Sequence, residues 1–330
     1  MFTKLTNRAP LTGLAIALCS AIATTAAPAQ AGTLFGDWNY VIDSFTDGSD
    51  TSGRGGNIYE MYGMAYKQVG DEIFFAVNAN TNRHGNAAST AGDGHINFGD
   101  LMLSFANGGT FGINFASLND SGVNDGKKVG GADRPQALAN GLYSNVTTKD
   151  MTAVNDGYST MASFVGSGDK AYGNSFGDVD PTTLSYYNQS RSAPTNIATG
   201  TFQGGVTFYD DILSLGLDFK GGLAANAAAR GITNLNNPNA TQASLGLNGV
   251  NTAKLGTHTT VFSVKRTADM LGDFTATLLF ECMNDGIALM GSVATPPPVV
   301  EEASVPEPGT ILGLATLGLA MTGVRRRRTV

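Results

Sequence analysis

Cysteine is almost absent from this 330-residue chain, and basic residues are scarce. The two cysteines are Cys19, within an apolar amino-terminal segment, and Cys282. A body that keeps only Cys282 cannot form an internal disulfide, so packing, length or bound ions must stabilise it. Lys and Arg total 20 against 27 Asp and Glu, for a net charge of −7. Such an acidic surface repels nucleic acid, which we exclude as a partner.

Motifs for catalysis and metal binding are also scarce. His84, His95 and His258 are too far apart in sequence for a metal cluster, and we interpret them as surface or turn residues. Residues 173–177 match the G-x-S-x-G pattern, but Asp180 and Pro181 follow where a nucleophile elbow requires a helix. No coherent catalytic set emerges, and we expect a protein that is not an enzyme.

The first 31 residues are typical of a secretory signal peptide. Lys4 and Arg8 precede an apolar stretch at 11–23, and Ala29 and Ala31 supply the small residues that a signal peptidase reads. We therefore expect export through the secretion machinery and removal of residues 1–31.

The last residues contain three elements in a fixed order. An uncharged apolar run at 309–324 would form a helix about 24 Å long, slightly short for a hydrocarbon core of about 30 Å. Positive charge beyond it favours a cytoplasmic tail at 325–330, while a permanent tail anchor is the plain alternative. The flanking elements are Val305, Pro306, Glu307 and Pro308 before the run, and Arg325, Arg326, Arg327 and Arg328 after it.

These three elements resemble the PEP-CTERM sorting signal of bacterial surface proteins. In that family an exosortase, a membrane-embedded cysteine-type transpeptidase, recognises the tail, cuts near the Pro-Glu-Pro box and passes the body to the envelope or the polysaccharide matrix. The resemblance implies that residues 305–308 are recognition residues and that the helix anchors the protein to the inner membrane only transiently. It implies a surface or matrix protein associated with extracellular polysaccharide or biofilm.

The body at 32–291 shows short apolar strands separated by Gly, Asn and Asp turns. Three hairpins are predicted: 58–67 with 73–77, 101–105 with 111–115, and 274–282 with 287–290. We predict an all-β fold, a two-sheet antiparallel β-sandwich of jelly-roll type, flanked by the signal peptide and the transmembrane sorting helix. A Pro- and Glu-rich linker at 292–308 separates the body from the helix.

Other elements of the body are predicted from weaker patterns. Residues 259–264 are expected to pair with 274–282, and an Ala-rich helix is expected at 223–230. Periodicity nearly disappears at 118–204, where only 142–146, 161–165 and 184–187 suggest short strands. Seven apolar residues are predicted to be buried: Trp38, Phe74, Leu101, Phe111, Phe262, Leu278 and Phe280.

Asp43, Asp47 and Asp50 lie in one Gly- and Ser-rich loop. Oxygen ligands on a flexible loop suit Ca²⁺, which an exported protein would meet, so these residues are candidate calcium ligands. A second loop with Asn119, Asp120, Asn124 and Asp125 has the same character. Neither loop has the twelve-residue pattern with a closing Glu, and ordinary Asx turns are the alternative.

A secreted carbohydrate-binding or glycoside-hydrolysing module is the alternative function. Glu60 and Glu281 lie on predicted strands, and two carboxylates about 5 to 9 Å apart could hydrolyse a glycoside, although solvated strand-face residues are the simpler interpretation. Aromatic rings could also stack on sugars, although packing within loops is the simpler role for them. The tyrosines of the middle segment are Tyr143, Tyr158, Tyr172, Tyr186 and Tyr187.

Overall fold

Antiparallel strands are the main regular structure of the described body. The computed structural model describes residues 32–50, 53–123, 137–167, 176–230 and 255–294. The predicted signal peptide, the linker beyond 294, the sorting elements and the apolar run at 309–324 therefore lie outside the described residues. Within the described ranges, no helix is long and apolar enough to cross a membrane.

The strands and helices are numbered along the chain. The strands are β1 (Thr33–Phe35), β2 (Trp38–Ile42), β3 (Ser49–Asp50), β4 (Gly53–Arg54), β5 (Met61–Val69), β6 (Glu72–Ala79), β7 (Asn86–Ala87), β8 (His95–Ile96), β9 (Leu101–Phe105), β10 (Thr110–Asn114), β11 (Gly141–Lys149), β12 (Asn196–Gly205), β13 (Thr207–Tyr209), β14 (His258–Lys265), β15 (Gly272–Leu279) and β16 (Gly286–Val293). The helices are α1 (Met161–Ser167), α2 (Phe219–Ala229) and a 3₁₀ turn at Pro181–Thr183.

Two six-stranded sheets contain the longer strands. The first sheet has the order β1-β2-β5-β6-β14-β13, and the second has the order β12-β11-β10-β9-β15-β16. All pairings within them are antiparallel. The three predicted hairpins are present as β5-β6, β9-β10 and β15-β16, because each joins two apolar strands through a short turn.

One hydrophobic cluster contains residues of both large sheets. The ring of Phe75 on β6 lies 6.3 Å from the ring of Phe274 on β15. Phe115, which follows β10, stacks on Phe262 of β14 with 4.6 Å between ring centroids. The sheets therefore share one core, which is the packing that a β-sandwich requires. All seven apolar residues predicted to be buried are buried.

Helix α2 covers the other face of the first sheet. Tyr40 of β2 and Leu223 of α2 belong to a second cluster on this face. The helix approaches closely because Gly222 has no side chain, and a Cβ there would lie 2.4 Å from the Tyr40 ring. The predicted helix is confirmed, but it begins at Phe219, because Asp218 caps it by accepting a hydrogen bond from the Gly221 amide at 3.0 Å.

The predicted pairing of 259–264 with 274–282 is wrong. Strand β14 pairs with β6 in the first sheet, whereas β15 lies between β9 and β16 in the second. Apolar alternation identifies a strand but not its neighbour, which long-range packing selects.

Two of the short strands predicted in the middle segment are also wrong. Residues 161–165 belong to α1, and residues 184–187 form turns after the 3₁₀ turn. The third, at 142–146, lies within β11. Strand β12 was not predicted, because it is mostly exposed and has Thr, Gly and Gln where a half-buried strand would alternate apolar residues.

Candidate functional site

A polar groove of about 670 Å³ opens where three loops meet. One loop runs from β3 towards β5, the second follows β7, and the third precedes α1. We call this site the groove. Its lining residues are Ser49, Asp50, Gly53, Ile58, Tyr59, Ala87, Ala88, Ser89, Thr90, Ile96, Asn155, Asp156, Gly157, Tyr158 and Asn284.

Backbone contacts hold the loop that carries Tyr158. The Tyr158 amide donates to the Cys282 carbonyl at 3.1 Å, and the Gly157 amide donates to the Thr152 carbonyl at 2.8 Å. On the facing loop, the hydroxyl of Ser49 lies 3.2 Å from the hydroxyl of Tyr158. The Ser49 amide also donates to the Asn284 carbonyl at 3.0 Å, so loops of both sheets are tied together beside the groove.

The tyrosines of the middle segment do not line one cleft. Tyr158 lines the groove. Tyr143 is buried on β11 and donates its hydroxyl to the Ala139 carbonyl at 2.9 Å. Tyr186 and Tyr187 pack against the cluster around α1. Tyr172 lies outside the described residues.

Four buried carboxylates, Asp43, Asp47, Glu60 and Asp285, form a group that we call the carboxylate cluster. Their side chains are at most 3% exposed. One oxygen each of Asp43, Asp47 and Asp285 can be chosen so that all three lie within 4.8 Å of one another. Asp47 is two residues from Ser49 and Asp285 follows Asn284, so the cluster is joined directly to the walls of the groove.

The members of the cluster differ in their hydrogen bonds. Asp285 accepts from the Met61 amide at 2.6 Å and from the Gly286 amide at 2.7 Å. Glu60 accepts from the Gly56 amide at 2.7 Å. Both oxygens of Asp43 are buried, and no hydrogen-bond donor among the described residues reaches either of them with regular geometry.

Burial is the main influence on the charge of these carboxyl groups. It raises the pKa of Asp43 well above its usual range, and the charges of Asp47 and Glu60 raise it further, while the Ser44 amide and Arg230 lower it. Burial likewise raises the pKa of Asp285, with added contributions from Asp47, Asp43 and Glu60. Four carboxylates packed together out of water therefore favour either bound protons or a bound cation.

Arg230 lies near this cluster but forms no ion pair with it among the described residues. Its guanidinium donates to the Ile42 carbonyl at 3.3 Å and to the Gly177 carbonyl at 2.7 Å. Burial lowers the pKa of Arg230, while the charges of Asp178 and Asp43 raise it.

The loop aspartates predicted as calcium ligands are brought together only in part. Asp43 and Asp47 lie in the cluster, whereas Asp50 lines the groove. Glu60 and Asp285 were not predicted to join them. Asp285 had only a turn pattern, Asn284-Asp285-Gly286, and no local signal shows that this turn reaches the loop after β2. Of the second loop, Asn119 donates to Asp100 at 3.0 Å, and Asn124 and Asp125 lie outside the described residues.

Glu281 belongs to a different buried network. Its carboxylate accepts from the Asn97 amide at 2.9 Å, from the Asn196 side chain at 3.0 Å and from the Asp120 amide. Burial raises the pKa of Glu281, and the charge of Asp120 raises it further. In the same network Asp100 accepts from the Ile197 amide at 2.6 Å.

The interpretation of Glu60 and Glu281 as solvated strand-face residues is therefore wrong. Glu60 is 0% and Glu281 is 1% exposed, because each lies beside a strand end where loop amides donate to it. They accept from separate sets of donors, and neither lines the groove. The geometry thus brings no Glu60–Glu281 pair together in a cleft.

The remaining motif residues do not form a reactive set. His95 is buried, contrary to expectation, and its Nε2 lies 2.8 Å from the His84 carbonyl. His258 is exposed on β14. Of the G-x-S-x-G segment, only Phe176 and Gly177 lie among the described residues. Cys282 is buried as a free thiol, whose pKa burial raises.

Comparison with family models identifies the carboxyl-terminal segment. Residues 304–328 match the PEP-CTERM protein-sorting motif. The match includes the Pro-Glu-Pro box and the four arginines, so the resemblance predicted from the sequence is confirmed. A PEP-CTERM motif supports an exported protein that exosortase-type processing sorts. Neither the search of curated proteins nor the search of solved structures found a match to the chain.

Proposed function

We propose that this chain is an exported, non-enzymatic surface or matrix protein whose β-sandwich body binds extracellular polysaccharide. The PEP-CTERM motif at 304–328 is the observation that carries the proposal. In proteins with this motif, the body is the cargo that reaches the envelope or the matrix. The signal peptide would start export, and the apolar run at 309–324 would hold the chain in the inner membrane until the exosortase acts.

The sorting step is tested by changing one residue of the motif. We expect Glu307→Ala to accumulate uncut precursor, whereas Glu301→Ala, in the linker before the matched segment, should be processed normally. Intact-mass spectrometry of protein from cells with and without the exosortase gives the readout. Wild-type protein should lose its tail only when the enzyme is present, and an intact tail in both strains would refute the sorting proposal.

We assign the groove as the place where a polysaccharide segment binds. Tyr158 presents a partly exposed ring, Ile58 is 39% exposed, and Asp50 and Asp156 add carboxylates that accept hydrogen bonds from sugar hydroxyls. An aromatic face with nearby polar groups on loops suits the binding of a polar sugar ring.

Tyr158→Ala tests this assignment against Phe202→Ala. Phe202 is also an exposed aromatic residue, but it lies on β12 outside the groove. We expect Tyr158→Ala to weaken binding to polysaccharide isolated from the same cells roughly five- to tenfold, because one stacking contact is lost. Cosedimentation measures binding, and circular dichroism checks the fold. Equal losses in both variants would argue against the groove.

The buried positions of two glutamates of the body support the non-enzymatic role. Glu60 and Glu281 accept hydrogen bonds from buried backbone amides, which is a structural role. The hydrolytic alternative relied on these two residues acting in one cleft, and their separate networks remove that support.

A further inference from the structure

The loop after β2 and the β15-β16 turn place several carboxylates in one buried space. The loop supplies Asp43 and Asp47, and the turn between β15 and β16 supplies Asp285. Glu60, just before β5, contributes to the same electrostatic environment. These elements come from both large sheets, so an ion held among them would connect the two sheets.

Asp43 provides the evidence for a bound cation. Its side chain is 1% exposed, and neither of its oxygens has a hydrogen-bond donor of regular geometry among the described residues. A buried carboxylate that lacks donors is unfavourable, so native structures supply it with a partner. The Asp43 oxygens lie in the space shared with Asp47 and Asp285, which is where that partner would be.

We infer that Asp43, Asp47 and Asp285 bind one calcium ion. Calcium–oxygen distances are about 2.3 to 2.6 Å, so two ligands of one ion lie at most about 5 Å apart. The three oxygens lie within 4.8 Å of one another and meet that limit. Glu60 is the fourth carboxylate near the ion, and its Oε2 already accepts from the Gly56 amide.

The ligand chemistry selects calcium over other common metals. Carboxylate oxygens are hard ligands, and no His or Cys side chain belongs to the described cluster, which disfavours zinc and copper. Magnesium usually keeps several of its waters, whereas these side chains are almost fully buried. Calcium takes six to eight oxygens in flexible geometry, so backbone carbonyls and water can complete the shell.

Calcium would also order the groove. The ion would fix Asp47 near Ser49 and Asp285 beside Asn284, and the Ser49 amide already bonds to the Asn284 carbonyl at 3.0 Å. The inference does not depend on polysaccharide binding, because the cluster exists whether or not the groove has a ligand.

Calcium titration of the full chain tests the inference. The purified protein is treated with EDTA, desalted and titrated with CaCl₂ in a calorimeter, and elemental analysis counts bound metal. We expect one calcium per chain. We also expect the midpoint of thermal unfolding to rise by roughly 5 to 10 °C at a free calcium concentration about 100-fold above Kd. MgCl₂ at the same concentration should give a smaller shift.

Asp43→Asn is the decisive variant, and Asp210→Asn is its control. Asp210 is exposed and lies outside the cluster, so its loss should leave calcium affinity unchanged. Asp43→Asn should weaken calcium binding at least tenfold. If that variant does not fold, Asp47→Asn replaces it. Absence of bound calcium and of a thermal shift in the wild type, or unchanged affinity in the folded variant, would overturn the assignment.

Discussion

Gly157 lies where the loop of the groove packs against the backbone of Cys282. A Cβ at this position would lie 1.8 Å from the Cys282 carbonyl oxygen, which belongs to the buried turn after β15. A backbone atom in that place cannot move aside without shifting the turn. The absence of a side chain at residue 157 therefore lets Tyr158 reach the groove, because the Tyr158 amide bonds to that same carbonyl.

Gly157→Ala should destabilise the protein because its methyl group overlaps that backbone. We expect the free energy of unfolding to fall by about 1 to 3 kcal/mol or more, as in other overpacked sites. Urea unfolding followed by fluorescence of Trp38, the one tryptophan, measures the change.

Gly205→Ala is the matched control for this prediction. No atom lies within 4 Å of a Cβ built at Gly205, and its φ is not in the left-handed region. Its effect should stay within about 0.5 kcal/mol. Equal effects of the two alanines would show that the contact with Cys282 does not matter.

The buried side-chain amide of Asn226 on helix α2 forms two hydrogen bonds to the first sheet. The Asn226 Oδ1 accepts from the Ile42 amide at 3.0 Å, and its Nδ2 donates to the Thr33 hydroxyl at 3.0 Å. Ile42 ends β2 just before Asp43, so this helix also positions the start of the loop that carries the carboxylate cluster.

Asn226→Ala should leave the buried Ile42 amide without an acceptor. We expect a loss of about 1 to 3 kcal/mol in the free energy of unfolding, although alanine is the better helix former. Chemical denaturation measures the loss, and hydrogen exchange should show the Ile42 amide exchanging faster.

The control places an asparagine on the exposed side of the same helix. Ala228 is exposed, so Ala228→Asn reports helix propensity alone and should cost less than about 1 kcal/mol. If Asn226→Ala is no more harmful than this control, the amide does not fix the helix.

Local patterns in the sequence predicted individual strands and hairpins better than they predicted which distant strands and loops lie side by side. Phe274, Ala276 and Leu278 alternate as a half-buried strand should, and the hairpin with β16 followed from the Asn-Asp-Gly turn. The pairing of β14 with β6 and the contact of Asp285 with Asp43 join residues that are far apart in the chain. No period or turn encodes such contacts, so half of the carboxylate cluster was missed.

The sorting motif was predictable because it does not depend on long-range contacts. An exosortase tail is recognised as a short linear segment, so its order of elements is visible without a fold. The groove depends on loops from both sheets, including the segment at 118–204 that showed almost no periodicity. A sorting motif that is one short segment can therefore be predicted from the sequence alone, whereas a groove built from distant loops cannot.

The whole molecule is acidic, and it also buries acidic groups that resist ionisation. Asp100 is 0% exposed, and burial raises its pKa from 3.8 to about 6, although the Ile197 amide, Ser121, Asn119 and Lys149 lower it. Burial also raises the pKa of Asp178 to about 6. The folded state therefore holds more protons than the unfolded state between about pH 4 and 6.

Stability should consequently fall as pH rises through that window and stay lower above it. A shift of about two pKa units corresponds to about 3 kcal/mol for one group, of which about 1 kcal/mol is expressed between pH 5 and 7.5. Urea unfolding in EDTA, which keeps metal from the carboxylates, should give a larger free energy of unfolding at pH 5 than at pH 7.5.

Asp100→Asn distinguishes the effect of protonating this buried carboxylate from the effect of the net charge of the protein. The variant loses overall stability, since the neutral amide accepts fewer hydrogen bonds, but the difference between pH 5 and 7.5 should shrink by about 1 kcal/mol. Asp210→Asn removes an exposed carboxylate and should leave the difference nearly unchanged. A wild-type protein that is more stable at pH 7.5 than at pH 5 without metal would mean that the buried carboxylates ionise more easily than their surroundings imply.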